Sequence, residues 1–78
     1  MKVFWDGESR EIPDSFRVGN CIAYVVNIEV LDLVWSMTYK RVTVYYEIRR
    51  RKHNTSREMS KYEDMIEVIQ RAMDAQIP

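Results

Sequence analysis

Cys21 and His53 are the only thiol and the only imidazole in the 78 residues, so nucleophilic or acid–base chemistry near neutral pH would have to run through them. Neither has suitable company. Cys21 opens an apolar, β-branched segment, where a small thiol is ordinarily a packing residue. His53 ends the basic run Arg49-Arg50-Arg51-Lys52-His53. A Cys-His dyad has no spacing motif behind it. Glu8, Glu11 and Asp14 recur at intervals of three, yet no histidine or further acid is placed beside them by pattern, and such carboxylates are usually solvated. One Cys and one His leave a four-ligand zinc site without its donors, and two isolated glycines cannot cradle a phosphate. The sequence therefore reads as a non-enzyme, with no metal and no other cofactor.

Its charge distribution is more informative. Between Arg41 and Lys61 seven Lys and Arg stand against two acids, a net +5, and the rest of the chain carries −5. A chain of zero formal charge thus concentrates a cationic site, and guanidinium forks bind phosphates or carboxylates bidentately. Arg49, Arg50, Arg51, Lys52 and Arg57 are the candidate contacts. Tyr45, Tyr39 and Trp35 are the candidate aromatic partners, being of the types that dominate binding hot spots or stack on bases. A solvated turn, or a charged edge that blocks sheet pairing, is the bland alternative.

The length allows one domain, residues 1–78, with a single small core. With 46% apolar residues and few Gly or Pro, the chain is expected to fold and not to remain a disordered tail. A lone cysteine fits a reducing compartment, and no apolar run has the length of a signal-peptide core or a membrane span. The expectation is a soluble, cytoplasmic protein that does not enter membranes. Asn54-Thr55-Ser56 matches a glycosylation acceptor but reads here as a polar turn.

The elements that must position these residues follow from periodicity. Val3-Phe4-Trp5 and Ser9-Arg10-Glu11-Ile12 flank Asp6-Gly7, a dipeptide suited to a tight hairpin turn, and Pro13-Asp14 and Gly19-Asn20 mark two more breaks. From Ile22 to Val30 alternate residues share a face, with Ile22, Tyr24, Val26, Ile28 and Val30 on the more apolar one. Parity then flips to Leu31, Leu33, Trp35 and Met37, which predicts a bulge or tight connection near residues 30–32. A helix over 22–37 is the competing reading, and the density of Val, Ile and aromatics favours strand. The run from Arg41 to Arg49 alternates cleanly, with Val42, Val44, Tyr46 and Ile48 inward.

Met59, Tyr62, Ile66, Ile69 and Met73 recur at steps of three and four, widened by Met65, Val68 and Ala72, and predict an amphipathic C-terminal helix that frays at Gln76-Ile77. Thr55 with Glu58, or Ser60 with Glu63, could form its capping box. The predicted fold is α+β: a small antiparallel sheet of four or five strands, connected as a meander, with this helix packed on one face.

The central strands are apolar on both sides, and one helix covers only one. The other face must be covered by the N-terminal hairpin, by a second copy in a homodimer, or by a partner. The expected function is a small non-catalytic binding protein acting stoichiometrically on a macromolecular partner. That partner is expected to be a protein, with this chain as regulator or inhibitor, a mode common among products of viruses and mobile elements. The alternative is a small nucleic-acid-binding protein using the basic patch from Arg49 to Arg57.

Overall fold

Alternating side chains organise most of the chain into strands, because a period of two puts every second residue on the same face. The computed structural model describes residues 1–76. Along the chain lie β1 (Lys2–Trp5), β2 (Glu8–Glu11), β3 (Ser15–Val18), β4 (Cys21–Leu33), β5 (Ser36–Ile48), β6 (Arg51–Ser60) and α1 (Met65–Asp74). β1 and β2 form a two-stranded hairpin, and β3 to β6 form a four-stranded antiparallel meander in sequence order. With α1 packed against that sheet, the fold is a small α+β one of the predicted class, with six strands in two sheets instead of four or five in one.

Turn chemistry explains the connections. Asp6 and Gly7 both hold positive φ (49° and 80°), the left-handed pair that matches the twist of a tight hairpin. Gly19 (φ 59°) does the same at the first position of the β3–β4 turn. Both turns fall where the sequence placed them.

The inner face of the sheet carries the core. Phe16 and Val18 on β3, Ala23 on β4, and Val42, Val44, Tyr46 and Ile48 on β5 are buried, with Thr55 and Met59 from β6. Met65, Ile69, Ala72 and Met73 of α1 close over them. Side-chain hydrogen bonds fix the helix across the sheet, from Gln70 Nε2 to the Arg17 carbonyl on β3 (2.7 Å) and from Gln76 Nε2 to the Asn54 carbonyl on β6 (2.9 Å). The N-terminal hairpin covers the same inner face. Val3, Trp5 and Ile12 join the core, and Arg10 donates to the Lys61 carbonyl (2.7 Å) just before the helix. Arg10 and Lys40 both lie over the Trp5 ring, 5.3 and 5.5 Å from its centre.

Four expectations are corrected. The irregularity near 30–32 is not the only one: β4 also gains one residue between Val25 and Asn27, so Ile22, Tyr24 and Val26 stay outside while Ile28 and Val30 turn inward with Ala23 and Val25. The irregularity between Asp32 and Leu33 belongs to the β4–β5 hairpin end.

Residues 51–60 are a strand and not a turn or a helix start, and Asn54-Thr55-Ser56 lies within it, paired to Tyr45-Val44-Thr43. Ladder bonds along β5 outweigh the local capping signal there. Glu63 still takes the Ser60 N–H (2.7 Å), but Asp64 caps the helix through Ile66 N–H (3.0 Å).

Two residues of the predicted helical stripe fail as core, since Tyr62 precedes the helix and is exposed, and Ile66 is more than a third exposed. Finally, Gln76 is held by hydrogen bonds to Tyr46 and Asn54 instead of fraying, and Ile77 lies outside the described residues.

Candidate binding surface

The basic run forms the β5–β6 turn. Ile48 pairs with Arg51, so Arg49 and Arg50 alone make the connection, with φ of 53° and 65°. These are the two left-handed positions that Asn-Gly or Asp-Gly ordinarily fills, as Asp6-Gly7 does at the other hairpin. An L-residue with a β-carbon is held there at a cost of about 1–2 kcal/mol. Among the described residues no carboxylate pairs with Arg49, Arg50, Arg51 or Lys52, whereas Arg41 is tied to Glu58 (3.1 Å) and Arg71 to Glu67. The turn and the start of β6 therefore present four cations without a salt bridge, two of them on a backbone that local energetics disfavours.

The basic residues do not share one face. Lys52 opposes Glu47 on the outer face, while Arg51 and Arg57 oppose the inward Ile48 and Val42 and emerge at the β6 edge. The two-residue turn interrupts strand alternation between Ile48 and Arg51. The cations wrap around a corner of the sheet.

Among the described residues, neither helix nor N-terminal hairpin packs on the outer face. Along β4 it is apolar, with Ile22, Tyr24, Val26 and Leu31 exposed. Towards β6 it becomes polar through cross-strand pairs: Arg41 with Glu58, Thr43 with Ser56 (2.8 Å), Tyr45 with Asn54, and Glu47 with Lys52. An open hollow of about 520 Å³ lies beside the bulge, lined by Val26, Glu29, Tyr45, Glu47 and Lys52 among others. It joins an aromatic ring, two carboxylates and a cation in one depression next to the basic turn. Tyr45 is half-buried there, and Tyr39 lies exposed further along the same strand face.

Trp35 does not join this group. It sits in the β4–β5 turn, at the opposite end of the thirteen-residue β5 from Arg49. There it shares an apolar tip with Val34 (107% exposed) and Met37 (99%), neither of which sequence reasoning selected. The tip is nevertheless ordered: Ser36 Oγ accepts hydrogen bonds from the Thr38 and Tyr39 N–H groups (3.2 and 3.0 Å). The parity flip at Leu31 was the available signal, but a Val-Trp turn has none of the Gly, Asn or Pro that would announce it.

The remaining chemistry-bearing groups are dispersed. Cys21 is half-buried against the core at the β3 end of β4, whereas His53, stacked on Tyr46 (5.4 Å between rings), belongs to the lining of the hollow. Glu8 and Glu11 stand at the two ends of β2, opposite Trp5 and Lys2. Among the described residues no group of three or more His, Cys, Asp or Glu converges, and no helix is long and apolar enough to cross a membrane. In comparisons with known proteins, no family model, curated protein or solved structure matches this chain.

Proposed function

We propose that this chain is a small non-catalytic binding protein that acts stoichiometrically on a protein partner, as a regulator or inhibitor. The observation that carries the reading is the Arg49-Arg50 turn: two unpaired guanidiniums occupy left-handed positions that Asn-Gly would fill at lower cost. Strain of this kind persists where the side chains are needed, and bidentate forks suit the carboxylates of an acidic protein surface. The neighbouring hollow supplies the mixed remainder of an interface, with Tyr45 and Val26 for apolar contact and Lys52, Glu47 and Glu29 for register.

The alternative, nucleic-acid binding through the same cations, draws on Tyr45 as a stacking surface. Glu29 and Glu47 beside that ring oppose it, because a phosphate backbone following the outer face would meet both carboxylates.

The test is capture of the partner from lysate of the native host, run with and without nuclease, followed by reconstitution with the purified partner. Replacing Arg49, Arg50, Arg51 and Lys52 together by Ser should abolish binding, with the loss concentrated in one or two Arg. Retained nucleic acid and an affinity that falls steeply with salt would select the alternative, since each phosphate contact releases counterions. Unchanged binding by the quadruple variant would reject both.

A further inference from the structure

The two edges of the main sheet are treated differently. β6 is guarded along its length by Arg51, Lys52, Arg57 and Glu58, charges that blunt pairing with a foreign strand. On the other side β3 pairs only with Cys21–Tyr24 of β4, and one further bond runs from the Val25 N–H to the Asp14 carbonyl (2.9 Å). Beyond that point, among the described residues, no backbone hydrogen bond reaches this edge of β4. The bare stretch reads Val26-Asn27-Ile28-Glu29-Val30-Leu31-Asp32-Leu33, with no Lys, Arg or Pro. Of its two acids, Asp32 is neutralised by Lys40 (3.1 Å). The bulge at Val26 lies where β3 stops, and Asn27–Asp32 runs in unbroken register with β5.

We propose that a second copy of this chain occupies this edge. β4 pairs antiparallel with the partner's β4 about a two-fold axis through Val30, and two four-stranded sheets become one continuous sheet of eight strands. Opposed residues in an antiparallel pair share a face, so the axis passes through a residue and not between two. An axis at Glu29 would set that carboxylate against its own copy. An axis at Val30 sets Glu29 opposite the partner's Leu31 and Ile28 opposite the partner's Asp32, with no like charges facing. The regular register spans Asn27–Asp32, and beyond it the exposed hairpin tip with Val34 and Trp35 comes beside the partner's bulge at Val26 and the start of its β3. Zero net charge leaves no long-range repulsion between copies. The pairing leaves the basic turn free, at the far end of β5 from the β4–β5 hairpin tip, but shares Val26 and Glu29 with the hollow.

Sedimentation equilibrium on the full chain, through the micromolar range, tests this. The wild type should show a concentration-dependent dimer. Leu31→Glu places a carboxylate opposite the partner's Glu29 twice per dimer and should weaken association by about tenfold or more. Leu31→Lys should keep the dimer, since the new cation faces that same Glu29, and Glu29→Lys combined with Leu31→Glu should restore it. Leu31 is half exposed, so these variants keep the fold, which circular dichroism checks. A wild type that stays monomeric overturns the proposal, as does a Leu31→Glu variant that associates as tightly as wild type. Dissociation by Leu31→Lys overturns the register.

Discussion

Replacing Arg49 by Asn and Arg50 by Gly should make this protein more stable. Both residues hold left-handed backbone (φ 53° and 65°), which costs about 1–2 kcal/mol for a residue with a β-carbon. Asn tolerates that region and Gly occupies it freely, although Gly returns roughly 0.5–1 kcal/mol through the entropy of the unfolded chain. Separating four adjacent cations adds a smaller gain. The balance is about +1 kcal/mol, which for a domain of this size raises Tm by roughly 4–8 °C. Urea denaturation is the cleaner assay, because the midpoint should rise while the slope stays fixed, meaning that stability has changed and the surface exposed on unfolding has not. Arg51→Ser is the control. Arg51 belongs to the ladder opposite Ile48 and lacks positive φ, so its loss should stay within about 0.5 kcal/mol. A double variant no more stable than wild type, or a gain equalled by Arg51→Ser, would refute the argument that the turn is strained for the sake of its side chains.

Core predictions separate two neighbours in α1: Ile69 is 2% exposed and Ile69→Ala should cost about 2–5 kcal/mol, whereas Ile66, 39% exposed, should cost distinctly less, as chemical denaturation will show. Trp5→Ala should cost about 3–5 kcal/mol, and Trp5→Phe much less, because among the described residues the buried indole N–H meets no acceptor and its removal leaves nothing unpaired. The hydrogen bond from Lys40 holds the Asp6 carboxyl below its usual pKa, so its contribution is present above about pH 4 and is lost as pH falls through the lower folded value. Asp6 and Asp32 raise Lys40, and burial raises the Tyr46 phenol, so both contributions hold below about pH 10 and are lost as pH climbs through the folded values. Denaturation midpoints across pH should fall at both ends, and Asp6→Asn should flatten the acid limb; an unchanged acid limb would count against the Asp6–Lys40 pair.

What the sequence determined by itself is what depends on near neighbours. Period two along 41–48, the left-handed tolerance of Asp6-Gly7 and Gly19, and the apolar stripe through Ile69 and Met73 express local backbone and side-chain geometry, and each is found where it was read. The tertiary structure decided what depends on which strand lies beside which. Helical spacing from Met59 and a capping-box pattern at Thr55 were real signals, but pairing of residues 51–60 with β5 satisfied more backbone groups and made them a strand. The bulge at Val26 was invisible because Tyr24, Val26 and Ile28 are apolar alike, and only the register with Tyr45 and Tyr46 shows where the extra residue lies. The candidate site divides in the same way. Composition located the cations, but their division around a sheet corner, the distance from Trp35 and the bare edge of β4 arise from long-range pairing. A one-dimensional pattern records which face a residue takes relative to its neighbours, and not which strand, helix or solvent meets that face.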